Sequence, residues 1–169
     1  MITLTQPLRD EHKELFPSVN RILRVADRIG EAPTAEIREG VGEVYEFLAY
    51  HLKPHAQAEE AALYPVVQKV LSSPEATRTM SRDHLEIGRY IEELEALTKN
   101  WGKASLTAEQ RKALQRLLYG AYALIKVHFA KEEEIYLPIL DQRLTPTSAQ
   151  EMFQAMETAA DKAKHLAHI

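Results

Sequence analysis

The sequence predicts an all-α fold, an up-down-up-down antiparallel four-helix bundle with an additional C-terminal helix, from three observations. Apolar residues recur at helical spacing through four long stretches, short joints marked by Gly, Pro, Ser and Thr divide those stretches, and almost nothing alternates as a strand would. A chain of 169 residues is in the range of one domain that buries about two-thirds of its surface on folding. One domain over residues 1–169 is therefore expected, with the bundle at about 5–143 and the extra helix at about 146–168.

The first helix is expected from near Thr5 to Gly30, with Leu8, Leu15, Phe16, Val19, Ile22 and Ile29 along one face. The second, capped by Thr34, runs to about Leu71 and carries Val41, Val44, Leu48, Leu52, Leu63, Val66 and Val70. The third opens with Ser73 as cap and Pro74 in its first turn, presents Met80, Ile87, Ile91 and Leu94, and ends near Asn100. In the fourth, Thr107 and Gln110 form a capping box, and Leu114, Leu117, Ala121, Ile125, Phe129, Ile139 and Leu140 follow before the end near Arg143. The last follows Thr145-Pro146. Its stripe of Met152, Phe153, Met156, Ala160, Ala163 and Leu166 must be covered by the bundle flank or by a partner subunit, so a homodimer through this helix is one expectation.

Composition removes several classes of function. No cysteine is present, which excludes disulfides, iron–sulfur clusters, thiolate zinc sites and cysteine nucleophiles; any metal must be held by nitrogen and oxygen. The N-terminal ten residues lack a secretory signal and nowhere do eighteen apolar residues run together, so a cytoplasmic, non-membrane protein is expected. A net charge of −4 with dispersed lysines and arginines gives no footprint for nucleic acid.

One block occurs twice: His55-Ala-Gln-Ala-Glu59-Glu60 ending at Pro65, and His128-Phe-Ala-Lys-Glu132-Glu133 ending at Pro138. Each has an upstream histidine in register, His12 at 43 residues before His55 and His84 at 44 before His128. About one His-x-x-x-Glu is expected by chance in such a composition; two in register with upstream histidines are not. These residues interrupt apolar stripes instead of lying opposite them: His12 between Leu8 and Leu15, His55 and Glu59 between Leu52 and Leu63, His84 between Met80 and Ile87, His128 and Glu132 between Ile125 and Ile139. Buried imidazoles and carboxylates must pair with one another or bind metal, because leaving them unpaired costs several kcal/mol.

Register brings them together. His12 precedes Gly30 by 18 residues and His55 follows Thr34 by 21; His84 precedes Trp101 by 17 and His128 follows Thr107 by 21. At about 1.5 Å per residue, all four histidines sit at one level of an antiparallel bundle. Positions i and i+4 share a helix face, so each half offers two histidines and one carboxylate, a set that suits non-haem ferrous iron, and facing carboxylates from the second and fourth helices can bridge two ions. Packing alone would explain one buried His–Glu pair; the duplicated set of six favours metal.

On these residues the chain resembles the hemerythrin HHE cation-binding family over about residues 5–143. The resemblance implies a di-iron centre with two ions per chain and an oxo or hydroxo bridge, with His12 and His55 on one iron, His84 and His128 on the other, and Glu59 and Glu132 bridging. Manganese or zinc remain alternatives, since availability and geometry decide the metal. The chain departs from the invertebrate oxygen carriers in having Gly88 where they carry a histidine four residues after the third-helix ligand, and Glu132 where they use Asp one residue further on. Its four-His, two-Glu set is more like that of bacterial HHE proteins and iron-centre repair proteins, although the cysteine-bearing N-terminal domain of the latter does not lie within these 169 residues. Two octahedral ions offer about twelve positions and this ligand set with one bridging oxygen fills about ten, leaving two open.

His51, one turn before His55, is a candidate fifth imidazole or an outer, solvent-linked histidine; Pro54 between them should bend the helix and re-aim either ring. Glu60, Glu133 and Glu134 read as a solvated acidic flank. Tyr64 and Tyr136 either hydrogen-bond near the centre or pack in the core. The expected function is binding of dioxygen or a related small oxidant as a sensor, store or scavenger. An iron-dependent peroxidase or an iron-centre repair or nitric-oxide stress protein is one alternative, so dioxygen, peroxide and nitric oxide are the candidate small ligands, and whether the protein is an enzyme stays open. A metal-free helical interaction module is the other alternative.

Overall fold

The computed structural model describes residues 3–99, 101 and 105–167, with side chains as far as residue 165. It is all-helical, without strands among the described residues, and has five helices. Helix α1 is Gln6–Arg28, α2 covers 34–71, α3 is Arg78–Lys99, α4 covers 108–143 and α5 is Pro146–Ala167. The expected end of the third helix near Asn100 and the last position of the C-terminal helix, residue 168, lie outside the described residues. No helix is long and apolar enough to cross a membrane.

Polar bonds fix how neighbouring helices run. Thr5 donates its backbone N–H and its hydroxyl to Asp141 Oδ1 (2.8 and 2.9 Å), while Gln115 donates to the Ala26 carbonyl (3.1 Å) and Tyr119 to Asp27 (2.8 Å). The start of α1 therefore meets the end of α4, and the end of α1 meets the start of α4. Along α1 and α2, Arg28 pairs with Glu36 and Arg21 with Glu43; along α3 and α4, Asp83 pairs with Lys131 and Glu93 with Arg116. Ser81 of α3 donates to Glu60 of α2, and Gln68 of α2 to Thr77 in the approach to α3 (2.9 and 2.7 Å).

Two helix starts differ from the sequence expectation. Thr34 is the first residue of α2 rather than its side-chain cap, because its hydroxyl accepts from Leu106 N–H and the Arg111 guanidinium instead. Helix α3 begins at Arg78 and not at Ser73-Pro74. Residues 74–77 form turns, in which the Ala76 carbonyl accepts from the Tyr136 hydroxyl (2.7 Å) and buried Thr77 accepts from Gln68. The capping box at Thr107 and Gln110 forms as expected.

Helices α2 and α4 are not uniform. Three π turns interrupt them, at Leu48–Leu52, Glu59–Leu63 and Glu132–Tyr136, and each ends two residues before a proline: Pro54, Pro65 and Pro138. Proline lacks the N–H that an α-helix needs and crowds the carbonyl four residues back; a turn one residue wider absorbs that mismatch where the helix would otherwise bend. Pro17 sits within α1 without such a turn, so proline alone does not demand one. Two of the three begin on Glu59 and Glu132.

The apolar residues form two separate cores. One joins Val19, Ile22, Val44, Ile91, Leu117 and Ile125 with their neighbours; the other joins Leu8, Leu63, Val67, Met80, Leu140 and Met156. Each fully buried side chain of this kind stabilises by about 1.5–3 kcal/mol. Part of the expected stripe of the last helix is covered within the chain: Met152 and Met156 are buried against α2, along which α5 lies, so no second copy is needed to shield these two, while the side chain of Leu166 lies outside the described residues. His12, His55, Glu59, His128 and Glu132 are also buried, as a polar layer between the two cores.

Candidate metal centre

Each bundle helix delivers its part of the polar layer from one level: His12 from α1, His55 and Glu59 from α2, His84 from α3, His128 and Glu132 from α4. They converge in two groups with potential to hold an ion, His12, His55, Glu59 and Glu132 in one and Glu59, His84 and His128 in the other. Glu59 spans both. Its Oε1 lies 3.0 Å from His55 Nε2 and 3.7 Å from His12 Nε2, while its Oε2 lies 3.2 Å from His84 Nε2 and 3.9 Å from His128 Nε2. Glu132 spans the same gap, with Oε2 at 3.4 Å from His12 Nε2 and Oε1 at 3.5 Å from His128 Nε2. All six residues expected from the duplicated block are thus brought together.

The outer nitrogens of the four rings face a closed circle of carboxylates. Glu11 of α1 lies 3.0 Å from His55 Nδ1 on α2; Glu60 of α2 is 2.8 Å from His84 Nδ1 on α3; Asp83 of α3 is 3.2 Å from His128 Nδ1 on α4; and Glu133 of α4 is 2.9 Å from His12 Nδ1 on α1. Each helix thus sets a carboxylate against the histidine of the next, hydrogen-bonded in three cases and, for Glu11 and His55, as an ion pair without a hydrogen bond at His55 Nδ1. A carboxylate at Nδ1 keeps the proton there and leaves Nε2 with a lone pair directed inward, the arrangement in which an imidazole binds metal.

The inner atoms fit a cation. His12 Nε2, His55 Nε2, both oxygens of Glu59 and Glu132 Oε2 are buried without a hydrogen-bond partner, and His84 Nε2 stands 2.9 Å from His128 Nε2. Facing lone pairs and orphaned carboxylate oxygens are costly in a dry interior unless positive charge lies among them. The electrostatics show the same need. Burial opposes charge on His12, His55 and His84, yet the carboxylates around them, Glu59 above all, overcome it and raise all three rings above their usual value, His55 most clearly. Burial likewise opposes charge on Glu59, but His55, His12 and His128 hold it well below the carboxylate range. Burial, then the charge of Glu59, pushes Glu132 up to about 7.

The two halves differ in what covers them. Phe129 stacks on His12 at 4.3 Å between ring centroids, and Tyr64 stacks on His84 at 5.4 Å. The Tyr64 hydroxyl donates to Glu132 Oε1 (2.9 Å), and burial together with Glu59 and Glu132 pushes this phenol far above its ordinary value. A surface cavity of about 760 Å³ between α2 and α3 reaches His84 and is bordered by Gly88, Glu60 and Leu85.

Some sequence expectations fall elsewhere. The structure does not bring His51 into either group: its ring is exposed, lies against Phe47 at 6.5 Å, and lines a different surface cavity with Glu46 and Lys164. Glu60 and Glu133 are not merely a solvated flank, since each accepts from a histidine; Glu134 is exposed as expected. Tyr136 bonds the Ala76 carbonyl, away from the centre. Sequence reasoning missed Glu11 and Asp83. A signal existed: each of the four outer carboxylates adjoins a member of the cluster in sequence, Glu11 before His12, Glu60 after Glu59, Asp83 before His84 and Glu133 after Glu132.

The hemerythrin HHE cation-binding domain model matches residues 3–140, and the chain belongs to this family. It is a helical protein whose buried His/Glu cluster marks it as metal-binding. No curated protein and no solved structure matches it.

Proposed function

We propose that this protein is a non-haem di-iron protein that binds dioxygen or a related small oxidant, as a sensor, store or scavenger. The carrying observation is the placement of the two carboxylates: each presents one oxygen to the His12 side and the other to the His84 and His128 side, as a bridge between two ions requires. His12 and His55 would hold one iron, His84 and His128 the other, in a single domain whose four long helices run up, down, up and down; the end-to-end bonds between α1 and α4 support that topology. Two histidines and a carboxylate for each ion are the donor chemistry of ferrous sites with open positions, and the iron pair when bound supplies redox change and a place for the small ligand.

The chain's own residues do the rest. The outer carboxylates orient the four rings, and the two apolar cores exclude water above and below the layer. Phe129 walls the His12 ring, and surface cavities approach both sides of the layer, one at His84 beside Gly88 and one at His55 beside Glu11. That access favours a second reading, turnover of peroxide, in which small-ligand exchange is faster than a carrier needs.

Elemental analysis after anaerobic ferrous loading tests the reading. Two irons per chain are expected, with the bridged pair lost in Glu59→Ala and in Glu132→Ala. Absence of metal, or a stoichiometry still at two with both glutamates replaced, refutes it. Steady-state peroxide consumption then separates the scavenging enzyme from the binding protein.

A further inference from the structure

Both carboxylates reach the His84 and His128 side, Glu59 Oε2 at 3.2 Å from His84 Nε2 and Glu132 Oε1 at 3.5 Å from His128 Nε2, so each side draws on two histidines and two carboxylates. One more oxygen stands on the His84 side alone. Tyr64 is 1% exposed, and its hydroxyl lies 3.4 Å from His84 Nε2, 3.5 Å from His128 Nε2 and 2.9 Å from Glu132 Oε1. Ligands at about 2.1 Å from one ion sit roughly 3.0 Å apart at neighbouring corners of an octahedron, so these separations are those of co-ligands. The ring is held in place by lying nearly parallel to His84, at 9° between planes.

The duplicated block makes the asymmetry specific. Tyr64 lies five residues after Glu59; the residue five after Glu132 is Leu137, a buried core side chain with no donor. On the His12 side the ring in contact is Phe129, which has none either. The oxygen thus serves one half only.

We propose that the phenol oxygen of Tyr64 is a metal ligand, a fifth protein donor to the ion held by Glu59, Glu132, His84 and His128; this rests on the di-iron reading above. Ligation replaces the O–H bond by a metal–oxygen bond: the proton is released to water, the electron pair stays on oxygen, and no oxidation state changes. Tyrosine oxygen is a hard anionic donor, so it favours the ferric form of that ion and makes the two irons inequivalent.

The test uses the full chain loaded with ferrous iron, oxidised in air, and examined by elemental analysis, visible absorption and resonance Raman scattering. Wild type is expected to hold two irons and to show a phenolate-to-ferric charge-transfer band with tyrosinate ring vibrations. Tyr64→Phe, which keeps the ring on His84, should retain two irons and lose both signals; Tyr136→Phe should keep them. Two irons with no tyrosinate vibrations in wild type, or vibrations surviving in Tyr64→Phe, overturns the Tyr64 assignment while leaving the di-iron centre standing. Failure to bind iron overturns both. If Tyr64→Phe does not fold, the wild-type vibrations, their shift with ring-deuterated tyrosine and their persistence in Tyr136→Phe decide the matter.

Discussion

Removing the outer carboxylates one at a time should weaken metal binding in an order set by their exposure. Asp83, Glu133, Glu60 and Glu11 face the four Nδ1 atoms with side-chain exposures of 15, 33, 40 and 47%. Water screens a charge the more it is exposed, so Asp83, kept in position by Lys131, is the least screened by water and Glu11 the most. Loss of such an outer partner typically costs 10- to 100-fold in metal affinity, about 1.4–2.8 kcal/mol. Asp83→Asn is expected near the upper end and Glu11→Gln near the lower. Folding of the metal-free protein should change by less than about 1 kcal/mol for the exposed members, because partly solvated pairs contribute little. Competition for cobalt(II) between the metal-free protein and a coloured chelator measures the first quantity, and thermal melts followed by circular dichroism the second. Four variants that hold cobalt within twofold of the parent would refute the circle of carboxylates as a positioning device. A largest loss at Glu11 would refute the argument from exposure.

Three further outcomes are expected. Gly88→His should fold, since no atom outside its own helix turn lies within 4 Å of the added Cβ and replacing glycine in a helix interior is favourable by a few tenths of a kcal/mol; with an imidazole narrowing the cavity beside His84, peroxide turnover should slow, whereas His51→Ala should leave iron content and spectrum unchanged. Identical peroxide kinetics in a Gly88→His protein holding two irons would show that access through this cavity does not control reactivity. Metal-free protein should melt lower yet remain helical, because a ligand of the folded state at a hundredfold excess over Kd stabilises by about 2.7 kcal/mol while both apolar cores persist without it; an unfolded metal-free chain would contradict this. Asp141 is held below its ordinary 3.8 because Thr5 and Arg9 outweigh its burial, so its contribution is complete above that value and lost as pH falls through the lowered one. As pH falls below about 3.8, urea denaturation should show the parent losing more stability than Asp141→Asn, by on the order of 1 kcal/mol.

The six inner residues were legible because helices make register and geometry nearly the same thing: a ligand's distance from the end of its helix sets its level, and the 3.6-residue period sets its face. The duplicated block supplied both. His51 shows where that reasoning stops. Four residues before His55 means the same face only on an unbroken α-helix, and the π turn at Leu48–Leu52 shifts the register between the two, leaving His51 exposed. The prolines were visible and predicted a bend; whether the chain bends or widens a turn depends on what packs around it.

The pairing of the outer carboxylates with their rings and the placement of Tyr64 belong to the tertiary structure. Glu11 and Asp83 look like ordinary surface acids beside a histidine, and each serves a histidine on a different helix, which no local spacing encodes. Tyr64 at helical spacing reads equally as core or as a hydrogen-bonding group until Glu132 and His84 arrive beside it. The sequence by itself determined the helices, the buried polar layer and its six inner members, because those follow from periodicity along one chain. Which carboxylate steadies which ring, and which half receives a phenol, was decided only when the four helices met, because contacts between elements depend on their azimuth and separation, and the linear pattern carries neither.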